Sequence, residues 1–311
     1  MQILLIVCMA FMVSPLFAQD LDPRAYIRAP VKTTTMIAGF AYSHGGVVTD
    51  PTLPVQNIKA DVEATSIGVA RAFNLFGLSS SALVAMPYMW AQVSGDVGDQ
   101  SQHITRSGFG DMRVRLSMLF LGAPAVTLAE LRKAPPPKTI LGASLNIIAP
   151  TGQFFSNKLI NLGTNRWSFR PELALSQPVG RHWVLDVYAG VWLFTDNASF
   201  YPGTSLRKQD PMGTLQSHFS YNINPKTWVA FDATFYYGGS SSIEGVYKDD
   251  RQSNARCGIT GVIPTGKLSS LKLSVSRGAI VRVGQNFSTY SIGWQHSWME
   301  GYKPSKVKKA E

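Results

Sequence analysis

The chain has 311 residues and a formal net charge of +10, although only 15% of its residues are charged. Its basic residues are scattered instead of gathered on one stripe, so a nucleic-acid-binding protein is excluded and we expect no nucleic-acid partner. Low charge content with average hydrophobicity instead suits a membrane barrel, because one face of each strand meets lipid and the other meets water.

The N-terminal residues have the pattern of a secretory signal. An apolar run from Ile3 to Val13 precedes Pro15, and the small Ala18 precedes the charged QDLDPR. We therefore predict a signal peptide at 1–18, removed after Ala18. A membrane anchor is less favoured, because the run is shorter than the ~20 residues that a helix needs to cross a bilayer. No later run approaches that length, which excludes a helical membrane protein.

After a segment at 19–32 that we expect in the periplasm, apolar and polar residues alternate along much of the chain. Successive side chains of a strand point to opposite faces, so the alternation predicts strands that are apolar outside and polar inside. We predict an all-β fold, a closed antiparallel transmembrane β-barrel of about 12 strands at 33–298, followed by a basic C-terminal tail at 299–311. The predicted strands are Thr33–Ser43, Ile58–Ala72, Ser79–Gln92, Thr105–Phe120, Lys138–Ala149, Thr164–Gln177, Arg181–Thr195, Gly213–Ile223, Lys226–Gly239, Arg251–Ile263, Leu268–Gly278 and Phe287–Trp298.

The stretch NRWSFRPELALSQ shows the alternation most clearly. Trp167, Phe169 and Leu173 share one face, whereas Arg170 and Glu172 share the other. A strand that is apolar on one side and charged on the other fits lipid outside and a wet interior.

One predicted strand, Ile58–Ala72, breaks this rule. Lys59, Asp61 and Glu63 share parity with the apolar Ile67. A β-bulge within the strand is one explanation, so its register stays open.

The links between the predicted strands alternate, with one exception, between long and short. NLFGL, PVG, NP and PTGK are short, and barrels of this class place short turns in the periplasm and longer loops outside. The long link Leu121–Pro137 is an exception on the predicted periplasmic side, and its VTLAELRK core is compatible with a single helical turn. An even strand count returns both termini to the same side.

Tryptophans lie near the ends of the predicted strands, as expected for an indole at the headgroup layer. Strict alternation, however, points Trp192 and Trp228 inward. In a soluble protein the same aromatic residues would be core, which is the alternative interpretation. The predicted belts are Trp183, Trp228 and Trp298 on the periplasmic side, and Trp90, Trp167 and Trp192 on the other side.

The chain between about Gly108 and Trp298 carries an ordered series of motifs. They are GFGDMRVR, APTGQF, NLGTNRWSFRPELA, YAGVWLFTDN, HFSYNINPKTWVAFDATFYYGG and SNARCGIT. In this series the chain resembles the family of Gram-negative outer-membrane barrel proteins named as transporters of the phenol meta-cleavage degradation pathway. The resemblance implies an outer-membrane channel, and its link to aromatic catabolism is only a family label. The link Leu121–Pro137 and the tail after Trp298 depart from the family.

The sequence gives little support to catalysis or to metal binding. His218 shares parity with polar residues, and a hydrolase built on it would need a Ser in a strained Gly-flanked elbow, which the chain lacks. Neither HExxH nor a paired-Cys spacing occurs, and only Cys257 remains after the signal, so no intrachain disulfide can form. We expect no enzyme activity, no cofactor and no metal ion.

The most informative residues are the polar and charged side chains that alternation places inside the barrel. In one interpretation they pair across the lumen and hold the barrel rigid, because charges in a confined low-dielectric space need partners. In the other, the excess of arginine lines a narrow pore and favours anionic or aromatic solutes. The lumen-lining candidates are Asp111, Arg113, Arg115, Arg166, Arg170, Glu172, Asp186, His218, Asp232, Arg256 and Lys272.

These observations predict a passive channel for small solutes in the outer membrane of a Gram-negative bacterium, with aromatic or hydrophobic compounds as candidate solutes. The alternative is a structural or surface-interaction barrel with a blocked, ion-paired lumen. The expected partners are outer-membrane lipid, small-molecule solutes and the barrel assembly machinery. The sequence leaves the oligomeric state open.

Overall fold

The computed structural model describes residues 21–48, 55–97, 100–135 and 138–302. The predicted signal peptide at 1–18 and most of the predicted tail lie outside the described residues. Within the described ranges, no helix is both long enough and apolar enough to cross a membrane. The elements, in chain order, are β1 (Thr33–Val48), β2 (Val55–Leu75), β3 (Leu78–Val97), β4 (Gln100–Phe109), β5 (Met112–Pro124), α1 (Leu128–Lys133), β6 (Ile140–Ala149), β7 (Ser168–Val179), β8 (Trp183–Phe194), β9 (Asn197–Phe200), β10 (Ser205–Gln209), β11 (Met212–Asn224), β12 (Thr227–Gly238), β13 (Ser241–Ile243), β14 (Val246–Tyr247), β15 (Gln252–Pro264), β16 (Ser269–Ile280) and β17 (Gly284–Met299).

The strands close into an antiparallel barrel, which confirms the predicted fold. The sheet order is β2-β1-β17-β16-β15-β12-β11-β8-β7-β6-β5-β3, and a further pairing of β2 with β3 completes the ring. The first and last strands pair from Thr33 opposite Met299 to Val48 opposite Gly284. Because β4 and β5 are two parts of one interrupted strand, the barrel has 12 strands.

The interruption between β4 and β5 has a local cause in β3. Tyr88 pairs with Phe109 of β4, whereas Ala85 pairs with Arg113 of β5, so the register shifts between the two parts. Pro87 lies at this point, and proline has no backbone N–H to give to the ladder. The barrel wall therefore changes register beside Pro87.

The structure settles the register of β2. A shift lies between Gln56 and Lys59, at the very start of the predicted strand Ile58–Ala72, and pairing with β3 is continuous from Lys59 to Leu75. The register is therefore regular from Lys59 to Ala72, where the charged and apolar residues share parity. Lys59 and Glu63 therefore face outward with Ile67, because the 21-residue strand β2 continues past the apolar part of the wall.

The outer surface of the barrel is apolar. Large hydrophobic side chains are exposed on strand after strand, for example Ile67, Leu116, Leu173, Leu215, Phe231, Ile259 and Ile292. Trp167, Trp183 and Trp298 are exposed on the outer face at strand ends, as predicted, whereas Trp90 is exposed but lies inside β3.

Two tryptophans do not join these belts. Trp192 is only 4% exposed, and Trp228 lies under the Arg24 guanidinium, 4.7 Å from the ring centroid. Both side chains point into the barrel. Their direction agrees with strict alternation, and the assignment of these two residues to the belts from their position near strand ends was wrong.

The two ends of the barrel differ, and we call them the short-turn end and the long-loop end. The link between β5 and β6 at the short-turn end contains α1, which confirms the helical turn. Thr127 and Glu130 form a reciprocal capping box at its start, and the hydrogen bond from Thr127 N lowers the pKa of Glu130. At the long-loop end β9, β10, β13 and β14 form a separate four-stranded sheet, named here the loop sheet.

Candidate functional site in the barrel lumen

Residues 21–32 are named here the lumen segment. Leu21, Asp22 and Tyr26 lie inside the barrel, whereas Ile27 and Lys32 are exposed. We expected 19–32 in the periplasm, and the first part of the described segment instead enters the lumen. Lys32 N donates a hydrogen bond to Ala72 O at 2.8 Å, which fixes the segment at the short-turn end. From there the segment runs inward, and its side chains contact inward-facing residues of several strands.

Tyr26 is the main anchor of the lumen segment. Its side chain is 1% exposed, and its hydroxyl donates to Glu172 Oε1 at 2.8 Å and lies 2.7 Å from Ser144 Oγ. The ring packs edge-on against Tyr188, with centroids 4.9 Å apart. A buried aromatic ring with a satisfied hydroxyl holds the segment through both apolar and polar contacts.

Asp22 connects the lumen segment to two separate parts of the wall. Its Oδ1 accepts a hydrogen bond from Lys272 Nζ of β16 at 2.7 Å, and its Oδ2 lies 3.4 Å from Arg115 Nη1 of β5. The Arg115 guanidinium also lies over the Tyr26 ring, 4.7 Å from its centroid. These contacts cross the lumen and partly support the interpretation that the inward charges pair.

Glu172 collects several of the inward donors. Its Oε2 lies 3.4 Å from Arg170 Nε and accepts from Gln216 Nε2 at 3.2 Å. Its Oε1 lies 3.6 Å from Arg115 Nη2. A buried carboxylate needs hydrogen-bond and ion-pair partners, and Glu172 brings those of this part of the lumen together.

A second buried polar group spans β8, β11, β12 and β15. His218 Nδ1 lies 2.7 Å from Asp232 Oδ1, and Thr260 Oγ1 donates to Asp232 Oδ2 at 2.6 Å. Asp186 lies opposite His218 in the β8–β11 ladder and accepts from Arg24 N at 3.2 Å. His218, Asp232 and Asp186 are fully buried, so they join wall and lumen segment and do not border open space.

A cavity of about 350 Å³ remains in the lumen, and we call it the inner cavity. Its wall carries four cationic side chains and two carboxylates, so positive charge is in excess although several of these groups are paired. Ile148 and Trp192 form part of its apolar wall. The charged lining residues are Arg113, Arg115, Arg170, Lys272, Asp22 and Glu172.

A smaller cavity of about 150 Å³, the outer cavity, lies at the long-loop end. Ile148 and Trp192 line both cavities, which places the two side by side along the lumen. Its wall also has more cations than anions and contains aromatic rings. Its charged and aromatic lining residues are Arg166, Arg207, Arg256, Asp250, Trp192, Phe194 and Tyr236.

Asp111 has a different position from the other candidates. Its Oδ1 accepts from Gly152 N at 2.9 Å, and its Oδ2 accepts from Thr164 N at 2.8 Å and from Thr164 Oγ1 at 2.7 Å. The carboxylate therefore fastens the long loop between β6 and β7 to the interrupted strand. Neither cavity is lined by Asp111.

Apart from Asp111, the predicted candidates thus separate into three groups. The inner cavity brings together Arg113, Arg115, Arg170, Glu172 and Lys272. The buried group holds Asp186, His218 and Asp232, and the outer cavity holds Arg166 and Arg256.

Three charged residues of the cavities were missed by the sequence analysis. Asp22 lies in the lumen segment, and Arg207 and Asp250 lie in or beside the loop sheet. None of them belongs to a barrel strand, so alternation gives no signal for their direction. Trp192 was assigned to the aromatic belt, although its parity was the available signal for an inward position.

Metal-binding residues do not cluster in the part of the chain that the structure describes. No group of three or more His, Cys, Asp or Glu side chains is suited there to hold an ion.

Comparison with protein families gives one match over most of the chain. Residues 40–295 match the family described as "Putative MetA-pathway of phenol degradation". No curated protein sequence matches the chain.

Solved structures share the barrel. An outer membrane channel from Pseudomonas putida superposes with a TM-score of 0.77 at 21% sequence identity, over 90% of this chain and 100% of that chain. The beta domain of the Bordetella autotransporter BrkA superposes with a TM-score of 0.52 at 13% identity, over 86% of this chain and 100% of that chain. At such identities the likeness shows a common fold, the closed barrel of outer-membrane proteins.

Proposed function

The chain belongs to this phenol-degradation family, as its motif series predicted, and from that premise we propose that it is a passive outer-membrane channel for small solutes in a Gram-negative bacterium. The outward apolar surface and the exposed tryptophans support a position in lipid. The proposal includes export by the signal peptide at 1–18, insertion by the barrel assembly machinery and no catalytic role.

The observation that carries the channel proposal is the pair of adjoining cavities. The inner cavity and the outer cavity share Ile148 and Trp192; Asp22 of the lumen segment lines the first, and Arg207 of the loop sheet lines the second. Both have an excess of cationic side chains. A narrow lumen with low-dielectric walls focuses the field of these charges, which lowers the barrier for anions relative to cations.

The kind of solute follows from the lining. Arginine and lysine attract anions, and the rings of Trp192, Phe194 and Tyr236 offer contact to an aromatic or hydrophobic body. Small anionic or aromatic solutes therefore fit the passage better than cations or large polar molecules. This solute class is part of the proposal.

The test is reconstitution of the full-length mature chain. In planar bilayers we expect small, weakly anion-selective conductance, measured as the reversal potential in a KCl gradient. In liposomes we expect faster uptake of benzoate than in empty vesicles.

The alternative, a structural or surface-interaction barrel with a blocked lumen, is favoured by one specific observation. The lumen segment crosses the interior and is held by Tyr26, Asp22 and the backbone of Arg24. A well-inserted wild-type barrel without steady conductance and without faster benzoate uptake would support this alternative and contradict the channel.

A further inference from the structure

Three arginines of the outer cavity have donors without partners. Arg166, Arg207 and Arg256 are each at most 7% exposed. Buried nitrogen atoms of all three donate no hydrogen bond to any described group: Nε and Nη1 of Arg166, Nη1 of Arg207, and Nε and Nη1 of Arg256. An unsatisfied buried N–H of a charged group is costly, so such a set of donors calls for an acceptor.

The partners that these arginines do have leave the donors available. Arg166 Nη2 donates to Gln209 Oε1, and Arg256 Nη2 donates to Ser276 Oγ and to Phe287 O, each at 3.0 Å. All three side chains line the same cavity.

The carboxylates near this cavity are occupied elsewhere. Asp250 lines the cavity, but its Oδ1 accepts from Ser241 N at 2.7 Å and its Oδ2 accepts from Ser241 Oγ. Asp111 is held by Gly152 and Thr164. Three guanidinium groups thus share the cavity wall with one carboxylate, and the wall keeps a net positive charge.

Arg166 and Arg207 lie outside the barrel strands. Their pKa values agree with the small number of anions around the cavity. Burial lowers the pKa of Arg207 to about 10. Burial, and then the neighbouring charge of Arg207, lower the pKa of Arg166 well below its usual value. A bound anion near both guanidinium groups would raise both pKa values, because a neighbouring opposite charge favours the charged form.

The rest of the cavity wall is aromatic, and its size is small. Phe194 lies beneath the Arg166 guanidinium, 4.4 Å from ring centroid to Cζ, and Trp192 and Tyr236 add two more ring faces. The indole N–H of Trp192 is also buried without a partner among the described residues. A volume of about 150 Å³ matches the size of engineered cavities that accept a single benzene ring.

We propose that the outer cavity is a binding site for a monocyclic aromatic carboxylate, with the carboxylate held by Arg166, Arg207 and Arg256 and the ring held by the aromatic wall. The inference rests on the proposed function, because it names the solute class that the channel would take at its long-loop end. Arginine suits this task, since its planar fork donates two parallel hydrogen bonds to a carboxylate.

The test is calorimetric titration of the purified full-length barrel in detergent with three probes. Benzoate has the ring and the charge, benzyl alcohol has the ring alone, and acetate has the charge alone. We expect benzoate to bind at least tenfold more tightly than either of the others. Equal affinity for benzoate and benzyl alcohol would overturn the site.

Variants locate the site. Arg207→Gln changes the loop sheet and leaves the barrel strands intact, and Arg256→Gln changes the barrel wall; each should weaken benzoate binding at least tenfold. Arg181→Gln removes an exposed arginine at the short-turn end and should bind as the wild type does. Wild-type affinity in both cavity variants would overturn the proposal, and circular dichroism confirms that each variant is folded.

A second readout separates this site from the channel. Benzoate should quench tryptophan fluorescence of the wild type, and Trp192→Phe should lose most of the quenching, whereas Trp183→Phe, which changes an exposed ring at the short-turn end, should keep it. Quenching that is unchanged in Trp192→Phe would place benzoate elsewhere and contradict the site. A barrel that conducts ions without binding benzoate contradicts this inference alone, whereas binding without conductance contradicts the proposed channel alone.

Discussion

Tyr26 donates its hydroxyl hydrogen to Glu172 Oε1 at 2.8 Å, and this hydrogen bond joins the lumen segment to the barrel wall. Both residues are buried. A neutral donor to a buried carboxylate contributes more than an average hydrogen bond, because the carboxylate would otherwise lose part of its solvation without compensation.

Tyr26→Phe should therefore destabilise the barrel. The substitution keeps the ring and leaves Glu172 with one donor fewer, at a cost of about 1–3 kcal/mol in the free energy of unfolding. Urea unfolding in detergent measures the change. Tyr42→Phe is the matched control, since Tyr42 also donates to a carboxylate, Asp61, but near the exposed outer face, and its effect should be smaller. A larger loss in the control would contradict the assignment of Tyr26 as anchor.

Removing arginines from the two cavities should reduce anion selectivity. The double variant Arg166→Gln, Arg170→Gln takes one cation from each cavity, so the field that favours anions becomes weaker. Glu172 keeps Tyr26, Arg115 and Gln216 as partners. We expect the reversal potential in a KCl gradient to move toward zero or to change sign. Unchanged selectivity would show that these side chains do not border the ion path.

Asp22→Asn should change selectivity in the opposite direction. Neutralising Asp22 removes one of the two carboxylates of the inner cavity and releases Lys272 and Arg115 from their ion pairs. The preference for anions should then increase, with the same reversal-potential measurement as readout. A decrease would mean that Asp22 acts mainly by holding the lumen segment in place.

The full-length protein should fractionate with the outer membrane. Backbone groups in lipid must all be paired, and a closed barrel achieves this without free edges. We expect the mature chain in the detergent-extracted outer-membrane fraction with a sheet-rich circular dichroism spectrum. Recovery as a soluble periplasmic monomer would contradict a membrane location.

Trp298→Ala should impair insertion, whereas removal of the tail after Gly301 should not. Trp298 lies on the outer face of β17, is 52% exposed and pairs opposite Thr34 of β1. The tail is polar and basic. Outer-membrane yield by immunoblot is the measurement, and equal yields of wild type and Trp298→Ala would count against the prediction.

The barrel could be predicted from the sequence because its strands carry a local signal. Alternation in NRWSFRPELALSQ places Leu173 outside and Glu172 inside, and the structure has the same arrangement. The lumen segment has no such signal, because the contact between Tyr26 and Glu172 joins residues 146 positions apart. Arg207 was missed for the same reason: its direction depends on how the loop sheet folds over the barrel, and a loop has no fixed period.

The pairing of β1 with β17 also has a consequence for folding. Most other ladders of the barrel join strands that are neighbours in the chain, so each closes a short loop, whereas β1 and β17 bring together residues from opposite ends of the polypeptide. Closing a longer loop costs more conformational entropy, so the last seam needs specific contacts to select its register. Two hydroxyl pairs cross it, Thr35 with Ser297 and Ser43 with Thr289, each at 2.8 Å. A slip of the seam would separate both pairs at once, which gives correct closure an advantage over its neighbouring registers.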